Sequence, residues 1–439
     1  MLKKQLSYCL LLALAFLNIV CKKDIATPVT PPIKTNPYSI TLKVEEFADG
    51  PEVTWTAAKS KTFVEYRVLV AYFNEDIPDN PTANSKHIAI VVKKNSTDTL
   101  LKLTNNLIFN GNTFTTSYRI QAIFSDSEPV ISRRFSYNES QNSIKSIIST
   151  IKSDNEEIFA LNTAGSVLNI FNTKTKQFNL INLSSSGQSF SVPTLLELNI
   201  SQNTREALII QNSFIEVIDL KTRSIVKKIL YNNPIGEDIV AGFVNNGKLY
   251  ISTNQNNIVI IDRNDNDKIT KIKGLQSSSF FRYYKIPNEN TLLAVEGNSP
   301  YTLAVVQLSV NGLDLANIEK KVLSGITDYT EAVINILIDN NTFLIGNRGL
   351  LYDRKLNNIG TISSKINSFV SISDACKLGK DFLVINFNIV SAYNNVSLIN
   401  EKRMYDGSIP VNVTVINNQV WVVGNSSFNN KALFAPLIM

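Results

Sequence analysis

The 439-residue chain has 43 lysines and arginines against 37 aspartates and glutamates, and 44% of its residues are hydrophobic. This length and apolar content do not indicate disorder, and they predict at least two domains with real cores. The formal charge of +6 is small for the length, and no basic cluster alternates with aromatic residues, so nucleic-acid binding is disfavoured.

Residues 1–20 have the pattern of an export signal. Lys3 and Lys4 give a positively charged start, and an apolar core follows over residues 10–17. That core is too short to cross a bilayer as a helix, so a cleaved signal peptide is favoured over a permanent membrane span. Cys21 follows directly.

This leader together with Cys21 resembles a bacterial lipoprotein signal. The resemblance implies that the sulfur of Cys21 is diacylated and that Cys21 becomes the first residue of the mature chain. Two features depart from the pattern: Leu17 lies one position further out than usual, and Val20 is bulkier than the small residue expected before the cysteine. The implied partner is a membrane, which two acyl chains would hold firmly.

The residues after Cys21 bear on location. Lys22, Lys23 and Asp24 resemble the charged tag that sends lipoproteins of some Gram-negative bacteria to the outer face of the outer membrane. We therefore expect a lipid-anchored outer-membrane protein exposed on the cell surface, with a periplasm-facing anchor as the alternative. Residues 21–37 contain four prolines and no apolar periodicity, which predicts a flexible, semi-extended linker.

The cysteines exclude a disulfide in the mature protein. Cys9 leaves with the leader and Cys21 carries the lipid, so Cys376 is alone in the folded part. A lone buried thiol behaves as a small hydrophobic residue, and this role is favoured over that of a reactive nucleophile.

Residues 38–138 alternate apolar and polar side chains in short runs separated by turn residues. The alternation places Val53 with Trp55 on one inward face, and Tyr66, Val68 and Val70 on another. Seven short strands in roughly 100 residues are expected of an immunoglobulin-like sandwich. The predicted strands are 38–47, 52–58, 63–73, 87–93, 100–104, 117–124 and 130–137.

Three motifs of this segment resemble a fibronectin type III domain. They are Trp55 in VTW, Tyr66 in YRVLV and Tyr118 in YRIQAIF. The resemblance implies that the tryptophan fills the core and that Tyr118 pins a corner through its hydroxyl. The stretch between Leu103 and Tyr118 is longer than the family norm. Core packing is the expected role of both aromatic residues.

Residues 139–439 repeat a unit of about 40–50 residues, in the range of four-stranded propeller blades. Alternating runs at 238–244, 278–286, 333–338 and 411–416 are predicted to be innermost strands. The last unit ends after its third strand, so a strand near 143–151 is expected to complete it. The strongly apolar second strand recurs seven times, as EEIFALN, EALIIQN, GKLYIST, NTLLAVE, NTFLIGN, KDFLVIN and NQVWVVG.

These repeats resemble the diverse seven-bladed β-propellers with surface-layer or quinoprotein-like repeats. They lack the Trp-Asp and Gly-His marks of one well-known propeller class and the regular tryptophans of the quinoprotein class. The predicted fold class is therefore all-β, with a fibronectin type III-like sandwich over 38–138 and a seven-bladed β-propeller over 139–439.

The sequence offers little catalytic machinery. His87 is the only histidine and lies in the first domain, which excludes histidine triads and sites with several imidazoles in the second. No Gly-x-Ser-x-Gly elbow, phosphate loop or dinucleotide fingerprint occurs. We expect no cofactor and no metal. A carboxylate pair for glycoside hydrolysis stays open, because paired acids can be distant in the chain.

The run DRNDNDK at 262–268 resembles the start of a calcium loop. Asp267 stands where that loop requires glycine, and Lys273 stands where it requires glutamate. A blade hairpin turn with solvated side chains is the favoured interpretation.

The densest aromatic cluster is FFRYY at 280–284. Arg282, Tyr283 and Tyr284 are candidates for contact with a sugar or peptide ligand, since arginine and aromatic residues suit both. Core packing is the favoured alternative for this cluster, and also for Trp421.

Three functions remain open at this stage. The first is a non-enzymatic binding or scaffolding lipoprotein whose propeller presents a surface to a glycan or protein, with the sandwich as a spacer. The second is a carbohydrate-active or other hydrolytic propeller enzyme. The third is an outer-membrane assembly factor, which needs a periplasm-facing anchor. Fold resemblance alone does not decide among them.

Overall fold

A computed structural model gives the architecture over most of the chain. All regular structure in the described residues is β-strand, as the all-β prediction requires. Cys21, its leader and its linker lie outside these residues, as do His87 and Phe280. The described residues are 38–45, 52–72, 88–102, 115–133, 135–136, 143–144, 148–184, 194–231, 237–275, 281–286, 288–296, 302–322, 335–337, 341–345, 349–362, 372–386, 389–403, 408–426 and 431–439.

Eight strands form two antiparallel sheets at the start of the described chain. The strands are β1 (Leu42–Glu45), β2 (Glu52–Trp55), β3 (Phe63–Tyr72), β4 (Ile88–Lys93), β5 (Leu100–Lys102), β6 (Thr115–Phe124), β7 (Val130–Ile131) and β8 (Phe135–Ser136). One sheet has the order β1-β2-β5 and the other β4-β3-β6-β7, with β8 also paired to β6.

Both sheets contribute to one hydrophobic core. The five residues predicted to face inward, Val53, Trp55, Tyr66, Val68 and Val70, are all buried in it. The rings of Trp55 and Tyr66 meet edge to face with centroids 5.4 Å apart. The hydroxyl of Tyr66 accepts a hydrogen bond from the Ala58 N–H (2.6 Å). The side chain of Tyr118 lies outside the described part, so its corner bond stays a prediction.

The remaining strands form seven four-stranded antiparallel sheets. Sheet 1 contains β10 (Ile148–Asp154), β11 (Glu157–Asn162), β12 (Val167–Asn172) and β13 (Gln177–Asn182). Sheet 2 contains β14 (Leu195–Ile200), β15 (Arg205–Ile210), β16 (Phe214–Asp219) and β17 (Ser224–Leu230). Sheet 3 contains β18 (Ile239–Asn245), β19 (Lys248–Thr253), β20 (Asn257–Asp262) and β21 (Lys268–Lys273).

Sheets 4 to 7 follow the same order of strands. Sheet 4 contains β22 (Phe281–Lys285), β23 (Thr291–Glu296), β24 (Thr302–Leu308) and β25 (Leu315–Val322). Sheet 5 contains β26 (Asn335–Leu337), β27 (Thr342–Ile345), β28 (Leu350–Asp353) and β29 (Asn358–Thr361). Sheet 6 contains β30 (Ile372–Leu378), β31 (Asp381–Asn386), β32 (Ile389–Asn394) and β33 (Ser397–Arg403). Sheet 7 contains β34 (Ser408–Ile416), β35 (Gln419–Ser426), β36 (Lys431–Leu437) and β9 (Ser143–Ile144).

Sheet 7 takes its fourth strand from the other end of the segment. Strand β36 pairs with β9 through Ala432 opposite Ile144 and Leu433 opposite Ser143. The sequence predicted such a strand near 143–151, and Ser143–Ile144 takes that position. Ile148–Asp154 instead begins sheet 1. All seven predicted apolar runs occupy the second position of their sheets.

Each sheet shares a hydrophobic core with the next one. Phe159 of sheet 1 packs with Ile209 of sheet 2, for example. Corresponding clusters join each later sheet to its successor. Trp421 of sheet 7 lies in one core with Phe171 of sheet 1, so the series of sheets closes on itself. The core role favoured for Trp421 is confirmed.

Arginine–glutamate pairs reinforce three of these junctions, and each follows the same rule. An arginine in the turn between the third and fourth strands reaches a glutamate near the start of the second strand of the preceding sheet. The pairs are Arg223–Glu157 (2.6 Å), Arg263–Glu206 (2.8 Å) and Arg354–Glu289 (2.5 Å).

We predict that Arg263→Met destabilises the protein by about 2–4 kcal/mol, because it leaves the poorly exposed Glu206 without its cation. Arg263 and Glu206 side chains are only 12% and 16% exposed. Urea unfolding measures the change. Lys268→Met is the control, since its pair with Asp265 is widely exposed and should be worth less than about 1 kcal/mol. Equal losses in the two variants would contradict the prediction.

Candidate functional site

The first strands of the seven sheets gather around a common centre. Contacts join β10 with β14, β14 with β18, β18 with β22, β26 with β30, β30 with β34, and β34 with β10. The predicted innermost strands at 238–244, 278–286, 333–338 and 411–416 correspond to β18, β22, β26 and β34. Side chains on these strands are therefore the ones that different sheets bring together.

Lys152 of β10 forms an ion pair with Glu197 of β14, with 3.0 Å between Nζ and Oε1. Burial raises the pKa of Glu197, and the ammonium of Lys152 opposes that rise. The pair joins sheets 1 and 2. It places a carboxylate with an elevated pKa beside a lysine at the centre of the ring.

A second carboxylate, Asp374 of β30, acts in the same region. Burial raises its pKa to about 6, although hydrogen bonds and the positive charge of Lys152 both act against the rise. Its carboxylate accepts hydrogen bonds from the N–H groups of Val413 (2.8 Å) and Ala375 (2.9 Å) and from the Asn412 amide (3.3 Å). Among the residues described, Asp374 has no ion-pair partner. Its raised pKa thus reflects burial without a cation from these residues in direct contact.

Other polar groups of the first strands complete this region. Ser153 Oγ and Thr414 Oγ1 are 2.7 Å apart and join β10 to β34. We call Lys152, Glu197, Asp374, Asn412 and the Ser153–Thr414 pair the central polar group. It offers one cation, two titratable carboxylates and hydroxyl donors. Carboxylates with raised pKa values recur in binding and acid–base sites.

The central polar group was not predicted from the sequence. Its two carboxylates and its lysine come from three separate repeats, so no single run of the sequence brings them together. One signal was available in the sequence. Lys152 is an ionisable residue within the run ISTIKSD, whose isoleucines indicate a strand packed in a core.

The structure separates the three predicted contact residues on β22. Tyr283 is buried in the core between sheets 3 and 4. Its hydroxyl accepts a hydrogen bond from the Leu275 N–H (2.8 Å), and burial raises its pKa to about 12. Arg282 and Tyr284 retain partly exposed surface, and Tyr284 packs against the core between sheets 4 and 5. Ligand contact by these residues stays a prediction. Arg282 and Tyr284 are exposed enough to make such a contact, whereas Tyr283 is buried.

The acidic run at 262–268 forms the predicted hairpin turn between β20 and β21, but its side chains are not all solvated as expected, since that of Asp267 is only 7% exposed. Asp262 pairs with Lys248 (2.8 Å), and Asp267 pairs with Arg263 and Lys227. Asn266 and Asp267 have φ values of 49° and 62°. These carboxylates are thus held by cations of the protein itself. Within the described ranges, no three His, Cys, Asp or Glu side chains form a group that could hold a metal ion.

Cys376 is a free thiol that packs against the core between sheets 6 and 7. Burial raises its pKa, and the nearby charge of Asp374 raises it further. A thiol of this kind is a poor nucleophile, which agrees with its predicted role as a small hydrophobic residue. In the described part of the chain, no helix has the length and apolar character that a membrane span needs.

A scan against protein-family models finds no match, and neither does a search of curated proteins. Solved structures are similar in fold. The Cps50 (Swd1) β-propeller domain of Myceliophteria thermophila has a TM-score of 0.50 at 9% identity, with 68% of this chain and 98% of that chain covered. The fold is that of a β-propeller.

The structure titled U3-55K is similar to the propeller to the same extent, with a TM-score of 0.50 at 10% identity. The alignment covers 67% of this chain and 96% of that one. At such identities the likeness shows the fold alone. The surface-layer or quinoprotein class of the repeats therefore stays a prediction.

We predict that Tyr283→Ala destabilises the propeller by about 3–5 kcal/mol, because it removes a buried aromatic ring from the core between sheets 3 and 4. Arg282→Ala and Tyr284→Ala should cost less stability, since both side chains are partly exposed. Thermal melts of the three variants check this. A Tyr283→Ala protein as stable as the parent would show that the ring is dispensable to the core.

We predict that Asp374→Asn stabilises the propeller above pH 6 and that the gain disappears below about pH 4. The folded pKa of about 6 exceeds the ordinary value of 3.8, so ionisation disfavours the folded state as pH rises between them. This shift sets an upper limit of about 3 kcal/mol. Urea unfolding at pH 4 and pH 8 measures the difference.

Asp219→Asn is the control for that experiment. A backbone hydrogen bond from Thr222 lowers the pKa of Asp219, so this carboxylate stabilises the folded state above its ordinary pKa. The control variant should lose stability at pH 8 and approach the parent in acid. A pH dependence of the same sign in both variants would contradict the assignment.

Proposed function

We propose that the protein is a lipid-anchored protein of the cell envelope that binds a glycan or protein ligand with its β-propeller and does not transform it. The order of leader, Cys21, proline-containing linker and folded body supports the anchor. The propeller fold supports the binding role, because loops at blade ends vary freely while packing fixes the strands. The outer membrane is the proposed location, with the folded part on the cell surface.

The finer assignments of fold belong to this proposal. The sheets β1-β2-β5 and β4-β3-β6-β7 share one core, which supports a fibronectin type III-like sandwich as the spacer. Seven four-stranded sheets in the described residues, with sheet 7 joined to sheet 1, support a seven-bladed propeller.

The ligand is proposed to bind at one end of the central channel. The central polar group carries this assignment, because it is the place where ionisable side chains of several sheets meet. Glu197 and Asp374 accept hydrogen bonds there, and Lys152 and the hydroxyl pair donate them. Hydroxyl-rich sugars and peptide backbones have the matching donors and acceptors. Arrays of glycans and peptides probed with the purified protein test this role.

Hydrolysis is the second candidate function, and one observation favours it. Both Glu197 and Asp374 have raised pKa values, as a general acid requires. Turnover of an array ligand that is lost in Asp374→Asn would replace the binding role by the enzymatic one. Binding without turnover, weakened by Lys152→Ala, would retain it.

We predict that Cys21→Ala leaves the protein uncleaved, or soluble after washing the membranes at high salt, because the acyl chains are lost and exposed charges are screened. Fractionation and mass spectrometry of the N-terminus measure the outcome. The variant would contradict the anchor if it stayed firmly in the outer membrane. Protease treatment of intact cells separates surface display from the periplasm-facing alternative, which an assembly factor requires.

A further inference from the structure

The outermost strands of three consecutive sheets carry a concentration of positive charge. Strands β17, β21 and β25 of sheets 2, 3 and 4 together hold seven lysines and one acidic residue, Glu319. All seven lysines are exposed. The net charge of these three strands is thus +6, as large as that of the whole chain. We call the three strands the basic belt.

Exposed aliphatic side chains flank these lysines on two of the strands. Val226 and Leu230 of β17 are 56% and 69% exposed, and Ile318 and Val322 of β25 are 55% and 56% exposed. Exposed aliphatic residues of this size are ordinary when scattered singly. Here they lie on the same strands as the lysines.

Some of these lysines form ion pairs within the protein and others do not. Lys227 pairs with Asp267, and Lys271 pairs with Glu237 (2.7 Å). Lys273, Lys320 and Lys321 make no ion pair with any residue in the described ranges. Their ammonium groups are therefore available to an external anion.

Protection of sheet edges explains the lysines only in part. Edge strands often carry lysine to prevent pairing with another chain. That need is the same for every outermost strand of the ring. Strand β13 of sheet 1 reads QFNLIN and strand β29 of sheet 5 reads NIGT, and neither holds a charged residue. The lysines instead concentrate on neighbouring sheets.

We propose that the basic belt docks on an anionic lipid surface. Basic residues near a membrane are attracted to anionic headgroups, and lysine stems lie along apolar surface while the ammonium reaches the phosphates. The flanking Val, Ile and Leu side chains fit the boundary between headgroups and acyl chains. A soluble acidic polymer would leave them exposed, which is why a bilayer is the favoured partner. This contact adds to the proposed lipid anchor and does not depend on it.

The test compares lysine reactivity of the full chain on two kinds of vesicle. One is phosphatidylcholine, and the other is an equimolar mixture of phosphatidylcholine and phosphatidylglycerol. Acetylation rates are read by mass spectrometry, and flotation measures how much protein is attached. On the anionic vesicles, Lys273, Lys320 and Lys321 should react at least about fivefold more slowly than on the neutral ones. Lys174 and Lys380, exposed in turns of sheets 1 and 6, serve as internal references.

Charge reversal separates docking from the anchor. Lys320→Glu with Lys321→Glu should restore the reactivity of Lys273 on anionic vesicles, and high salt should do the same. The matched control is Lys174→Glu with Lys380→Glu, which makes the same change in net charge away from the belt and should leave Lys273 protected. Thermal melts verify that both variants are folded.

Three results would overturn the proposal. If the belt lysines react on both vesicles as fast as they do without vesicles, the belt does not meet the lipid, whether or not flotation shows attachment. Equal protection on both vesicles assigns it to the anchor or leader alone. Protection by dextran sulfate but not by anionic vesicles assigns the belt to an acidic polymer.

Discussion

The ring of sheets depends on the junction between sheet 7 and sheet 1. Every other junction joins sheets that follow one another in the chain, so a covalent connection holds the partners close. Strands β34–β36 of sheet 7 come last in the chain and have no such connection to sheet 1. They are joined to it through backbone pairing of β36 with β9, the strand that precedes β10, and through the core that contains Phe171, Trp421 and Phe434. The rings of Phe171, Phe178, Trp421 and Phe434 contact one another in that core and add to the cohesion of the aliphatic residues around them.

Charged side chains join neighbouring sheets at two distances from the centre of the ring. Around the centre, Lys152 holds Glu197 across sheets 1 and 2, and Asp374 receives the Val413 N–H across sheets 6 and 7. Further out, the arginine–glutamate pairs join the turns of one sheet to the second strand of the sheet before it. Apolar packing between two sheets does not depend strongly on how the sheets are oriented, whereas these polar contacts form only when the two sheets have one particular relative position. They therefore add specificity to a contact whose strength comes mainly from burial.

Strands could be predicted from the sequence where one face or both faces of the strand are buried. The inward residues Trp55 and Tyr66 followed from alternation, and the seven apolar second strands followed from their repeated composition, because burial on both faces leaves a clear record in sequence. The fourth strands gave no such signal. Strand β17 is exposed at six of its seven positions, so its place in a sheet depends on pairing with β16. The same period-2 rule separates Tyr283, which is buried, from its neighbours Arg282 and Tyr284.

Sites built from several sheets were not predictable in this way. Lys152 and Glu197 meet because the ring brings their strands together, Asp374 lies on another first strand and its carboxylate feels the charge of Lys152, and the lysines of the basic belt come from three repeats. The sequence shows no basic cluster interleaved with aromatic residues, because the lysines of the belt are spread over three separate strands. The clusters exist only in the folded arrangement, since a ring places equivalent positions of successive repeats side by side.

The pairing of β9 also determines how the ring would respond to a pulling force. Tension applied from the N-terminal side of the ring reaches Ser143–Ile144 before any other strand of the seven sheets. In the described residues two pairs join that strand to β36, whereas six pairs join β12 to β13. Under load the strand would therefore detach first and open the edge of β36, while the sheets behind it stay folded. The pairing of β9 with β36 would therefore be the first contact of the ring to break under load.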